Sequence, residues 1–363
     1  MNQEKSIHKV VVKVGTNVLT RPDGLLDITA ISQLIDQIAT LKRKGIQIIL
    51  ISSGAVGAGK AVVQLSGELN KVVSRQVYAA VGQIKLMNIY LDLFSNYDLY
   101  CAQVLATKED FRDRIHYLNM KECFRALLRD QIIPIVNEND VISVSELMFT
   151  DNDELAGLIA AMTDADALII LSNVDGIYDG HPEEANSRVI HQIFPGDKKH
   201  LSVINPTRST FGRGGMHTKA RIAQKAAGVG ITTFIANGKK AGILLEVLEG
   251  NAKGTTFVAK EQVSNVKKWI AYNESGKKGQ VLINEGASNV LCDKNKVSSL
   301  LPVGILQIDG AFEKGDIVEI VCEKKGLIGM GIAQYSSATA ANYLGKSGKK
   351  ALVHYDYLYI EAV

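Results

Sequence analysis

Five short runs of almost unbroken apolar residues, separated by longer helical patterns, constrain this chain more than any other feature. They are Lys9–Val14 (KVVVKV), Ile46–Ile51 (IQIILI), Ile132–Val136 (IIPIV), Ala167–Leu171 (ALIIL) and Thr232–Ile235. A strand apolar on both faces must be covered on both, which is the condition of a parallel sheet between two layers of helices. The helical patterns supply those layers. Ile28–Lys44 carries apolar residues at 28, 31, 34, 35, 38 and 41, one stripe of a helix that Gly45 ends. Further helical segments fall near 74–95, 115–130, 152–163 and 216–228. The rhythm predicts an α/β fold, an open and mostly parallel sheet sandwiched by helices.

The pattern changes after residue 260. Short strands with Gly-rich turns follow, at Gly279–Ile283, Leu306–Ile308, Ile317–Val321, Leu327–Ile332 and Tyr357–Ile360, with a short helix at Ser336–Leu344. The expected organisation is an α/β domain over 1–260, a linker over 261–275 and a small β-rich domain over 276–363. With 363 residues, 46% of them hydrophobic, the chain is long enough to build both cores.

Several function classes are disfavoured at once. A net charge of +3 implies no general attraction to nucleic acid or to an anionic membrane. Cys101, Cys123, Cys292 and Cys322 lie too far apart for a zinc knuckle or a redox dithiol. Met1–Val10 lacks the apolar stretch of a signal peptide, and no run nears the roughly 18 apolar residues that cross a bilayer. The expectation is a soluble cytoplasmic protein with no membrane partner.

In an open parallel sheet, ligands bind beyond the carboxyl ends of the strands, so the polar residues after each apolar run are the candidates. Lys13 lies inside the first strand pattern, where a charge is costly unless paired or facing an anion. It reads either as an edge lysine reaching water or as an anion ligand, with Gly15 letting the backbone approach a phosphate. Ser53, Gly54 and Ala55 open a small-residue stretch ending at Lys60 that fits GxxxxGK. A P-loop needs Ser or Thr next and this chain has Ala61, so the P-loop is rejected, leaving a backbone-rich anion cradle. Asn137-Glu138-Asn139-Asp140 is too polar for a simple turn and combines groups that accept from an ammonium and donate to a carboxylate. Asp151-Asn152-Asp153 stands at a helix start, where capping explains one of the three. Ser172-Asn173 and the loop Arg213-Gly214-Gly215-Met216-His217-Thr218-Lys219 complete the set. One lysine from each half of the domain could reach the same phosphoryl group, and such transfer depends on charge neutralisation.

In this order KVGTNV, SSGAVGAG, NENDV, DNDELA, SNVDGIY and GRGGMHTKA resemble the amino acid kinases, above all their glutamate 5-kinase branch. The C-terminal domain resembles the PUA module, a small β-rich barrel, carried by many bacterial members of that branch. The resemblance implies ATP-dependent phosphorylation of the γ-carboxylate of glutamate, the first step of proline synthesis, giving γ-glutamyl phosphate and ADP. It implies that Lys13 and Lys219 neutralise the transferring group and that Asp153 orients both. Ser53, Asp140 and Asn152 would bind glutamate, with Gly54, Ala55 and Asn137 lining the pocket. Lys13, Gly15, Ser172, Asn173 and residues Arg213, Gly214, Gly215, Met216, His217, Thr218 and Lys219 would hold ATP. Magnesium would arrive with the nucleotide rather than on dedicated protein ligands. Proline would be a feedback inhibitor, and the protein a dimer or tetramer.

Two positions depart from the branch, which often shows Thr-Asp where this chain has Ser172-Asn173 and Thr where it has Arg213. Asn173 exchanges a carboxylate for an amide, while Arg213 adds a cation. Kinases of acetylglutamate, aspartate or UMP are the alternatives within the family, and RNA binding through the C-terminal domain is the alternative outside it. From Glu261 onward the chain has 12 lysines, no arginine and 11 acidic residues, a net of +1. That is not the electrostatic footprint of a nucleic-acid binder.

Overall fold

The structure is a computed structural model that describes residues 7–66, 69–143, 149, 151–180, 184, 186–195, 197, 215–273, 276–293 and 296–360. Two compact units divide the chain, Met1–Glu261 and Gln262–Val363.

The first unit is built on an eight-stranded sheet. Its strands are β1 (Lys9–Val14), β2 (Gln47–Ser52), β3 (Cys101–Ala106), β4 (Ile133–Glu138), β5 (Ala167–Ser172), β6 (Gln192–Ile193), β7 (Thr232–Asn237) and β8 (Gly254–Phe257). They lie in the order β3-β4-β2-β1-β5-β7-β8-β6. Every pair is parallel except β7 with β8. All five apolar runs are strands of this sheet, and Ile48–Ile51 and Ala167–Leu171 are wholly buried, as coverage on both faces demands. Each such aliphatic side chain contributes about 1.5–3 kcal/mol on leaving water.

The helices follow the periodicity closely. They are α1 (Thr16–Leu19), α2 (Ile28–Arg43), α3 (Ala55–Lys60), α4 (Lys71–Ser95), α5 (Lys108–Arg112), α6 (Arg114–Arg129), α7 (Asn152–Met162), α8 (Met216–Gly228) and α9 (Ile243–Leu248) among the described residues. Of the stripe read in α2, Ile31, Leu34, Ile35, Ile38 and Leu41 pack into the sheet core, while Ile28 at the helix start is exposed. Asp27 caps its start by accepting from the amide of Ala30 at 3.0 Å, and Gly45 follows its end at φ +80°.

Two elements that the sequence reading missed, β3 and α3, bear on the site. β3 has a half-exposed edge-strand pattern without the unbroken apolar run of the interior strands. The small residues at 55–60 form the helix α3 rather than an open loop. Gly54, at φ +108°, turns the chain into α3, and glycines let it lie against α4 backbone to backbone. A Cβ on Gly82 would stand 1.8 Å from the carbonyl oxygen of Ala55, and one on Gly59 would stand 1.9 Å from that of Tyr78. Close packing requires both glycines.

The second unit contains a five-stranded sheet of Ile305–Asp309, Lys277–Ile283, Ile317–Cys322, Gly326–Ala333 and Val353–Ile360, in that spatial order. Its core includes Val281, Phe312, Ile320 and Ile328. Within 261–275, read from the sequence as a linker, Asn265–Tyr272 is a helix that buries Trp269, Ile270 and Ala271. That helix belongs to the second unit and packs on the strand Val353–Ile360.

Candidate active site

The carboxyl ends of β1, β2, β4 and β5 open into a cleft of about 710 Å³. Lys13 and Asp153 meet there because β1 carries the lysine to its fifth position and α7 begins beside it. Asp151 caps α7, accepting from the amides of Asp153 at 2.9 Å and Glu154 at 3.2 Å. With the capping done by Asp151, Asn152 and Asp153 are free for other work.

Asp153 is completely buried and bridges two lysines. Its Oδ1 lies 2.6 Å from Lys13 Nζ and its Oδ2 accepts from Lys219 Nζ at 2.8 Å. Burial alone would raise the Asp153 carboxyl, but the two ammonium groups hold it well below the usual carboxylate range. Burial would likewise lower Lys219, and the Asp153 charge overrides that and raises it. Asp151 goes the other way: burial, followed by the charge of Asp153, pushes its carboxyl up to about 6. Two lysines meeting on one buried carboxylate make an arrangement suited to gathering further negative charge.

A chain of amides runs along the neighbouring wall. Asn152 donates its two amide protons to Ser53 Oγ and Asn137 Oδ1, each at 2.9 Å. Asn137 in turn donates to Gln83 Oε1 at 3.0 Å. The side-chain carbonyl oxygen of Asn152 has no partner among the described residues. Asp140, just beyond β4, receives Arg75 Nε at 3.1 Å and Nη2 at 2.6 Å on a single oxygen.

On the other side Gly15 donates its backbone N–H to the carbonyl of Leu171 at 3.2 Å, fixing the first turn against the end of β5. Ser172 is buried and Asn173 exposed at the cleft. The turn beyond them is tied back by Asp175, which accepts from Asn237 at 2.8 Å and pairs with Lys240 at 2.9 Å. Gly215 leads into α8, whose first turn carries Met216, His217, Thr218 and Lys219. Of that run Lys219 alone lines the cleft among the described residues. Arg213 and Gly214 lie outside the described residues. Lys60, the lysine of the GxxxxGK pattern, is exposed, with its Nζ 5.8 Å from the ring centre of Tyr78. It ends a helix rather than reaching into an anion cradle.

Lys13, Gly15, Ser53, Gly54, Ala55, Asn137, Asp140, Asn152, Asp153, Ser172, Asn173 and Lys219 thus share one cleft. Sequence reasoning missed Arg75 and Gln83, which approach it from α4. No local pattern marks them, because a polar residue on a long amphipathic helix looks the same whether it meets water or a site. Among the described residues no group of three or more His, Cys, Asp or Glu could hold a metal ion, and no helix is long and apolar enough to cross a membrane.

Beyond a parallel sheet, two buried cations clamped on one carboxylate define an enzyme that handles anionic small molecules. The chain belongs to the amino acid kinase family, which matches residues 8–237, and the PUA domain family matches 279–355. It is 53% identical to the glutamate 5-kinase of Bacteroides thetaiotaomicron over 97% of this chain and 98% of that protein. It is 48% identical to the glutamate 5-kinase of Chlorobaculum tepidum over 99% of both. In fold, its first unit is similar to a carbamate kinase from Giardia lamblia solved with AMP-PNP, with a TM-score of 0.51 and 19% identity. That match covers 70% of this chain and 99% of the other.

Proposed function

We propose that this protein transfers the γ-phosphoryl group of ATP to the γ-carboxylate of L-glutamate, giving γ-glutamyl phosphate and ADP and opening proline synthesis. The observation that carries the chemistry is the Lys13–Asp153–Lys219 bridge. A γ-carboxylate oxygen forms the new bond to phosphorus as the bond to the β,γ-bridging oxygen breaks, and ADP leaves with that electron pair. The acceptor is already ionised at neutral pH, so no general base is needed. The charge on the transferring group and on the bridging oxygen is the obstacle, and preorganised lysines meet it without reorganising. Asp153 keeps the two ammonium groups together in an otherwise repulsive arrangement.

Asp140 and the free carbonyl of Asn152 favour a free α-ammonium group, which argues for glutamate over its N-acetyl derivative. Proline, which likewise carries an ammonium and a carboxylate on one carbon, would compete at Asp140 and Asn152. Magnesium enters with the nucleotide. Asp151 fits such a cation, because its Oδ2 is buried and has no partner among the described residues, and there magnesium would neutralise phosphate charge.

ADP release with Mg-ATP, with hydroxylamine present to trap an acyl phosphate, tests the reading. Glutamate-dependent ADP and hydroxamate are expected. Turnover with acetylglutamate, aspartate or UMP in place of glutamate would overturn the acceptor assignment while keeping the kinase.

A further inference from the structure

Glutamate brings three charges into the cleft, and the groups described so far answer two of them. The γ-carboxylate belongs with Lys13 and Lys219, where transfer takes place. The α-ammonium finds acceptors at Asp140 and Asn152. The α-carboxylate remains, and an ionised group moved out of water without a partner is heavily penalised.

The cations lining the cleft among the described residues are Lys13, Lys60, Arg75 and Lys219. The first and last are committed to Asp153. Lys60 is exposed and turned over the Tyr78 ring. Arg75 is different. It is partly buried, with its side chain 33% exposed, and it is anchored across the cleft wall to Asp140. Its neighbour Gln76 donates to the carbonyl of Val141 at 2.6 Å, so the start of α4 and the turn after β4 are fastened at two points.

The bonding pattern leaves complementary vacancies. Arg75 uses Nε and Nη2 on one oxygen of Asp140, so among the described residues Nη1 and Asp140 Oδ2 remain available. In an α-amino acid the carboxylate and the ammonium sit on the same carbon. Their partners must therefore be neighbours of opposite charge, and Arg75 and Asp140 are in contact at 2.6 Å. A guanidinium also offers the planar pair of donors that a carboxylate accepts best.

We infer that Arg75 binds the α-carboxylate of the amino-acid substrate, and that with Asp140 it forms a two-charge reader of the α-amino-acid group. This rests on the glutamate reading above. The pair demands both charges on one carbon, which sets glutamate apart from acids that carry only the reacting carboxylate.

The test compares L-glutamate with its α-amide, isoglutamine, which keeps the γ-carboxylate and the ammonium but neutralises the α-carboxylate. Wild-type protein, Arg75→Gln and Arg75→Lys are assayed by hydroxamate formation, with thermal melts to confirm folding. Arg75→Gln is expected to raise the KM for glutamate about 100-fold, with kcat and the KM for ATP nearly unchanged. The wild-type preference for glutamate over isoglutamine should collapse in Arg75→Gln, and Arg75→Lys should recover part of it. An equal loss with both substrates would overturn the proposal, because Arg75 would then serve only to position Asp140. An unchanged KM for glutamate would overturn it too. A wild-type protein inactive with glutamate would sink the underlying reading, and that outcome is visible before any variant is made.

Discussion

Lys13 and Lys219 each touch a different oxygen of Asp153, so removing one lysine leaves a one-to-one pair rather than a stranded charge. Lys219→Ala should therefore fold, while the transferring phosphoryl group loses one of its two cations. Turnover is expected to fall about 10²- to 10³-fold with the KM for glutamate changed less than about threefold. Steady-state rates at varied glutamate measure both, and an undiminished kcat would remove Lys219 from the reaction. Asp151 supports a second prediction. Burial and the charge of Asp153 push its carboxyl up to about 6 in the folded protein from an ordinary 3.8, so between those values the folded state binds more protons than the unfolded chain. Its contribution to stability is therefore greatest below the lower value and declines as pH rises through the upper one. Asp151→Asn keeps the helix cap and removes that decline. Urea unfolding should show the variant gaining on wild type by up to about 3 kcal/mol between about pH 4 and 7. Parallel pH curves would contradict it.

The α3–α4 contact determines whether the glutamate wall is in place. Gly54 and Ala55 line the cleft from the start of α3, and Gly82 lets α4 lie against that same backbone. Gly82→Ala puts a methyl group where the carbonyl of Ala55 stands, so one helix must move. A loss of about 1–3 kcal/mol is expected from such overpacking, together with a raised KM for glutamate. Lys85→Ala, on an exposed position of the same helix, should change neither. Calorimetry and glutamate titration check both variants. This is also where the sequence was hardest to read. The interior strands were legible because burial on two faces writes an unbroken apolar run, and α2 because its stripe has a helical period. The glycines of 54–59 looked like a phosphate loop because small residues serve close approach of any kind, whether to a ligand or to a second helix. The Lys13–Asp153–Lys219 cluster came from the family resemblance together with the odd placement of a lysine inside a strand. Arg75 and Gln83 gave no sign, since the fold alone brings α4 to the turns after β2 and β4.

All the residues lining the cleft belong to the first unit, which ends at Glu261, and the second unit has its own core. A chain truncated after Glu261 is expected to fold and to retain glutamate-dependent turnover within a few-fold of the full chain. Circular dichroism and the hydroxamate assay decide it, and a folded but inactive truncation would show that the second unit contributes to catalysis.

The bridge at Asp153 also has a consequence for how the protein is made. Lys13 comes from the first strand and Lys219 from α8, which follows most of the sheet in the chain. A ribosome has to deliver nearly the whole first unit before the second lysine can reach its carboxylate. A nascent chain therefore holds Lys13 and Asp153 without their third member through most of synthesis, and becomes competent only late. Contacts spanning such long stretches of sequence form slowly. A synonymous-codon pause placed before α8 would accordingly lengthen the time spent inactive without altering the finished enzyme.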